Sequence, residues 1–287
     1  MPPPNGSTRV VMLGTGTPRP DPNRSGPATA IVVNDTPYLI DFGPGVVRRV
    51  TAAYEKGVAA LGYGGINIKT VFLTHMHSDH TVGYPDLIFT PWVMGRREPL
   101  EVYGPKGIKA MTEHVLRAWQ VDIDGRTNGL NQHNPTGYKV CAHEILPGVI
   151  HRDGNVTVTA FSARHEEMVD SFGYRFETPD RIIVISGDTA PTQALIDHSR
   201  GCDVLIHEAY SMMAYRNGAR PSPEFRRRHH TSSVELAGIA NTVKPGLLIT
   251  YHRSNIGEEC SDGDVLIAEI TRTYKGNVVA ANDLDVF

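Results

Sequence analysis

Residues 75–80 read His75-Met76-His77-Ser78-Asp79-His80, directly after the apolar run Lys69–Thr74. That run reads as a buried strand, and it delivers three imidazoles and a carboxylate to its carboxyl end. Polar and ionisable groups buried without partners cost several kcal/mol, so a fold that carries such a cluster needs something to satisfy it. Neutral imidazole nitrogens and carboxylate oxygens are ligands that divalent zinc prefers. In an extended segment His75 and His77 share a side, which lets both reach one ion. Asp79 and His80 follow where the chain turns, so they approach a second. The competing reading, a histidine-rich surface loop, sits badly with the apolar strand in front.

Similar side chains recur at similar places. His165 follows the strand Val156–Ala163, Asp188 follows Arg181–Ser186 in a Ser-Gly-Asp-Thr turn, and His252 follows Gly246–Tyr251. Taken singly, each reads as a cap or a surface residue. Taken with the cluster they complete a set of seven ligands, enough for two ions and a bridging carboxylate.

Short β-branched runs alternate with helical stretches along the whole chain, with no sequence repeat and no long linker. Strands are expected at Arg9–Leu13, Ala28–Val33, Pro37–Asp41, Pro99–Tyr103, Tyr138–Ile145, Phe172–Glu177 and Asp203–His207. Helices are expected over Gly45–Ala60, Gly107–Val121, Ala190–Ser199, Ser232–Thr242 and Asp262–Tyr274, the first with Val46, Val47, Val50, Ala53 and Tyr54 on one stripe. Asp122–Gly137 and Ser211–His229 lack periodicity and read as loops, both candidate lids. The expectation is a single α/β domain over residues 1–287, two sheets covered by helices. Gly14-Thr15-Gly16-Thr17 lacks the third glycine and following helix of a phosphate-cradling loop, so it reads as a turn.

The His-x-His-x-Asp-His run and the three later ligands resemble the metallo-β-lactamase fold superfamily of dinuclear metallohydrolases, from the Leu13-Gly14-Thr15-Gly16 turn to His252. The resemblance implies a four-layer αββα sandwich with two mixed sheets. It implies one zinc held by His75, His77 and His165, a second by Asp79, His80 and His252, and Asp188 bridging them, with manganese or iron as other occupants. Ser171-Phe172-Gly173-Tyr174-Arg175-Phe176, His207-Glu208-Ala209 and His230-Thr231-Ser232 are similar to tRNase Z, and zinc-dependent arylsulfatases share much of the pattern. By that likeness Glu208 and His230 form a dyad beside the metals. Strand alternation sends His207 and Glu208 opposite ways, and Glu208 is taken as the one facing the site. The chain departs from tRNase Z at Pro20-Asp21-Pro22-Asn23-Arg24-Ser25, which lacks the lysine and asparagine of that family's Pro-x-Lys-x-Arg-Asn loop. The long basic arm has no counterpart.

These readings predict a dizinc hydrolase of phosphoric esters, small phosphodiesters first, using a hydroxide shared by the metals. Asp79 would orient it, and His230, set by Glu208, would protonate the departing oxygen. An arylsulfatase-like sulfuric ester hydrolase is the alternative, followed by a tRNA 3′-processing endonuclease and a lactonase or β-lactamase. Arg216 and Arg220 are candidate contacts for an anionic substrate, and the apolar residues around them, Phe225 included, for an aryl group. With 28 Lys+Arg against 31 Asp+Glu the formal net charge is −3, which disfavours a nucleic-acid partner. No apolar run reaches the ~18 residues of a membrane span. Three scattered cysteines make no disulfide framework. A cytoplasmic homodimer is expected, or a periplasmic or secreted one if a signal has been removed.

Overall fold

Asn34 and Asp35 both adopt positive φ, 46° and 62°, in a two-residue hairpin that pairs Val33 with Thr36. Asn and Asp tolerate that conformation best among residues with side chains, and the resulting turn matches the twist of the strands it joins. The computed structural model describes residues 8–168, 170–213, 222–253 and 262–287. They divide into two compact units, each built on one sheet.

The first unit takes in Ser25–Ile145, the strand before it and Asp283–Phe287. Its sheet runs β1 (Thr8–Gly14), β2 (Ala28–Val33), β3 (Thr36–Ile40), β4 (Thr70–Phe72), β5 (Leu100–Gly104), β6 (Val140–Glu144) in both sequence and space. The first three are antiparallel, and β3 to β6 are parallel. Parallel neighbours need crossovers, supplied here by α1 (Val46–Glu55), α2 (Ser78–Thr81), α3 (Tyr84–Val93), α4 (Ile108–Ala118) and α5 (Gln120–Asn128). Val46, Val47, Val50 and Ala53 of α1 are buried on the expected stripe, whereas Tyr54 is exposed. The C-terminal segment closes the open edge of β1, where Val10 and Phe287 exchange two backbone hydrogen bonds of 2.9 Å.

The second unit, Thr15–Arg24 and Leu146–Asn282, repeats that plan without repeating the sequence. Antiparallel β7 (Gly148–Arg152), β8 (Thr157–Ser162), β9 (Phe172–Glu177) and β10 (Ile182–Ile185) lead into parallel β11 (Val204–Glu208), β12 (Leu247–Tyr251) and β13 (Val278–Ala280). The crossovers are α6 (Gln193–Ser199), α7 (Pro223–His229), α8 (Ser233–Val243) and α9 (Asp262–Ile270).

Two of the expected loops contain helix. Asp122–Gly137, read as a lid loop, begins inside α5, and Ser211–His229 ends in α7. Helix α5 buries only Ile123 and is held by polar i,i+4 pairs, Gln120 to Asp124 at 2.8 Å and Arg126 to Asp122 at 2.9 Å. It therefore lacks the apolar stripe by which helices are recognised. Helix α3 was hidden by Pro85 and Pro91. Pro85 stands in the first turn, where its missing N–H costs nothing. Among the described residues no helix is long and apolar enough to cross a membrane.

Candidate metal and acid–base site

In the first unit the site grows from the ends of β3 and β4. Asp41, at the end of β3, takes a φ of 59° and is buried. Its Oδ1 accepts from the Thr74 backbone N–H at 2.8 Å, and its Oδ2 from the Thr74 hydroxyl at 3.0 Å. The same Oδ2 lies 2.9 Å from His80 Nδ1. His75 Nδ1 is held 3.0 Å from the Thr74 hydroxyl. Anchoring Nδ1 in both rings leaves Nε2 as the nitrogen each can offer to an ion.

His77 is the extended residue before α2, and its Nδ1 lies 3.0 Å from His75 Nε2. Asp79 and His80 fall inside α2, with His80 Nε2 3.6 Å from Asp79 Oδ2. His77 is thus extended, and Asp79 and His80 lie on the turn that follows it. The turn sits against backbone: the Phe42 N–H donates to His80 O at 3.0 Å, and a Cβ on Gly43 would lie 2.5 Å from Asp79 O. Only glycine fits at Gly43.

In the second unit, candidate ligands stand after the ends of β8, β10 and β12, and Glu208 ends β11. His165, Asp188 and His230 offer ligand atoms within 4.8 Å of one another. His252, in a positive-φ conformation just after β12, places Nε2 3.4 Å from Asp188 Oδ2. His165 Nδ1 lies 2.8 Å from the backbone carbonyl of His229, so it donates there and leaves Nε2 for an ion.

Glu208, at the end of β11, is 1% exposed. Its Oε1 accepts from the backbone of Thr189 at 3.3 Å and of Thr231 at 3.2 Å, and lies 3.0 Å from His230 Nδ1. Burial disfavours a charged His230, yet the Glu208 carboxylate and Asp188 outweigh it and hold the imidazole above its ordinary pKa. His207 does not pair with His230. Its Nδ1 contacts the Glu208 carbonyl at 2.6 Å, its Nε2 is buried without a hydrogen-bond partner, and burial pushes its pKa down.

Helix α7 carries His229 and ends at His230. Ser222 caps it by accepting from the Phe225 N–H at 3.2 Å. His229 is clamped between the Phe225 carbonyl, 2.7 Å from Nδ1, and the Glu167 carboxylate at Nε2. Arg228 pairs with Glu166 at 2.6 Å and Glu224 at 2.7 Å, and the buried Arg226 lies over the Tyr210 ring at 4.9 Å. Arg216 and Arg220, the expected substrate contacts, lie outside the described residues.

Asp41, Thr74, Glu167 and His229 escaped the sequence reading. Asp41 was within reach of it, because it ends an expected strand just as Asp188 and His252 follow theirs. The contact of His229 is made by a main-chain oxygen, which no side-chain pattern reveals.

The chain is similar to several known proteins. Residues 36–253 match a family described as a β-lactamase superfamily domain. Ribonuclease Z of Mycobacterium bovis is 31% identical over 251 residues, 85% of each chain. Among solved structures, the metallo-β-lactamase fold protein YhfI from Bacillus subtilis superposes with a TM-score of 0.72 at 19% identity, covering 98% of both chains. The short form of human tRNase Z superposes with a TM-score of 0.69 at 21% identity, covering 97% of this chain and 98% of that one.

Proposed function

We infer the reaction from the family: the chain belongs to the β-lactamase superfamily, has the metallo-β-lactamase fold and is a hydrolase. The substrate we propose is a phosphodiester. The observation that carries this reading is the Glu208–His230 pair at 3.0 Å, beside Asp188 and His165. A β-lactam or lactone keeps its leaving group tethered and has little use for such an acid. A phosphoric diester must expel an alkoxide, which a general acid assists by ~10²–10⁴.

The donor set fits divalent metal ions. It is made of neutral imidazoles and carboxylates, and His75, His80 and His165 each have Nδ1 engaged with Nε2 left over for a ligand. His75, His77 and His165 would hold one ion, Asp79, His80 and His252 the other, and Asp188 would be shared. Zinc is the first expectation, with manganese or iron as alternatives. Such ions supply a nucleophile from water at neutral pH and Lewis-acid stabilisation of the phosphoryl oxygens. Asp79 orients the attacking water and takes its proton. As the phosphorus–oxygen bond breaks, His230 delivers its proton from Nε2 to the departing oxygen. Glu208, on Nδ1, fixes the ring and favours its charged form.

Within that chemistry the finer proposal is small phosphodiesters. The second reading is an RNA substrate, favoured by the likeness to proteins named ribonuclease Z. The decisive comparison is kcat/KM of zinc-loaded protein on bis(p-nitrophenyl) phosphate and p-nitrophenyl sulfate, because the shared leaving group makes the ratio report the centre attacked. A phosphodiester preference of ~10³, about 4 kcal/mol of discrimination, is expected. A sulfate preference would transfer the protein to the arylsulfatase side. His230→Ala should retain its metals and lose ~10²–10⁴ on diesters with alkoxide leaving groups, but far less on p-nitrophenyl esters. Equal losses on both would contradict the acid role.

A further inference from the structure

We propose that Phe225 is the platform on which a planar ring of the leaving group stacks, so that this residue selects diesters whose departing alcohol carries an aryl group or a nucleobase. The inference rests on the phosphodiester reading and deepens it. Phe225 is 38% exposed although it lies in the first turn of α7, the short helix that ends at His230. One face of its ring is stacked on the His229 imidazole, with centroids 3.9 Å apart and planes 12° from parallel. Its exposure therefore falls on the rest of the ring.

The ring cannot drift from this position easily. The imidazole beneath it is held at both nitrogens, by the Phe225 carbonyl and by Glu167. Its backbone N–H is capped by Ser222. The platform thus stands in place before substrate arrives, which spares the ordering cost that a mobile side chain would impose.

The same ring lies 6.2 Å from the His230 ring, centroid to centroid. His230 is the residue proposed to protonate the departing oxygen, so a group bonded to that oxygen comes within reach of Phe225. An aliphatic group there gains little from an exposed aromatic ring. A planar π-system stacks on it, an interaction that is tolerant of base identity and typically changes affinity by about tenfold or more. An arginine at the corresponding place would read charge; a phenylalanine reads flatness.

The test uses matched phosphomonoesters as competitive inhibitors of bis(p-nitrophenyl) phosphate turnover by the zinc-loaded protein. Phenyl phosphate is set against methyl phosphate, and adenosine 5′-monophosphate against ribose 5-phosphate, with inorganic phosphate as the reference. In the wild-type protein at least one ring-bearing inhibitor should bind about tenfold more tightly than its ring-free partner. Phe225→Leu should abolish that gap while leaving inorganic phosphate unchanged, and Phe225→Trp should keep it. A gap in the nucleotide pair identifies a nucleobase, and a gap confined to the phenyl pair identifies a small aryl alcohol. A gap that survives Phe225→Leu would overturn the proposal. So would an equal weakening of inorganic phosphate, which would reduce Phe225 to a support for His229. Wild-type protein inert towards the diester would sink the phosphodiester reading itself, a different outcome from either.

Discussion

Asp41 holds three donors with one carboxylate: the Thr74 N–H, the Thr74 hydroxyl and His80 Nδ1. An amide in its place has one acceptor oxygen, and its NH2 group would face donors. Asp41→Asn should therefore leave the fold standing but release the His80 ring from its orientation. Partners of this kind typically govern metal affinity by 10–100-fold, and a loss of that size is expected for the ion His80 is proposed to hold. Chelator competition on the wild-type and Asp41→Asn proteins measures it directly, and equal affinities would show that Asp41 serves β3 and β4 alone. The seven proposed ligands are suggested by the sequence because each is a ligand-type side chain just after a strand or in the turn that follows one. The groups that aim them are less legible. Thr74 and His229 act on their neighbours through a hydroxyl and a main-chain carbonyl, and neither has a spacing that marks it.

At the scale of elements, the largest illegible feature is the buried Glu269 of α9. Its carboxylate accepts from the Met212 and Met213 N–H groups at 2.9 and 2.7 Å, and from the hydroxyls of Ser211 and Ser233 at 3.2 and 2.5 Å. One residue thereby ties the segment after β11 to the start of α8 and to α9. Helix α8 brings its own capping box between Ser232 and Glu235. Glu269 lies 36 to 58 residues from its partners, so no local periodicity announces it. Removing it leaves four donors in a largely dry place, and each uncompensated donor costs roughly 1–3 kcal/mol. Relaxation and water recover part of this, and Glu269→Ala should lower the unfolding free energy by about 3 kcal/mol in urea titrations. A change below about 1 kcal/mol would mean that water replaces the carboxylate at little cost. The same contrast between local and remote signals explains the strands. The apolar, β-branched β2 and β10 were read closely, whereas the exposed β7 and the three-residue β13 carry too little pattern to be seen.

For the molecule as a whole, charge and likeness point different ways. The RNA reading proposed above rests on relatives named ribonuclease Z. The formal net charge of −3 opposes it, since every phosphate gripped by Lys or Arg releases counterions, and RNA binders draw much of their affinity from that release. The arginine run of α7 adds less free charge than its sequence suggests. Arg228 is paired with Glu166 and Glu224, and Arg226 is buried against Tyr210. The two readings separate in salt. A protein that contacts several phosphates of a single strand shows a slope of log K against log salt near −0.7 per contact. A site that takes one diester at its metals has a slope no steeper than about −1. The small-diester proposal therefore predicts weak binding of a structured RNA, with a shallow slope between about 50 and 200 mM salt. Under the same conditions kcat/KM on bis(p-nitrophenyl) phosphate should barely change. A slope of about −3 or steeper would require four or more phosphate contacts, more than the active site holds, and would move the protein to the ribonuclease reading with an RNA-gripping surface beyond the described arginines.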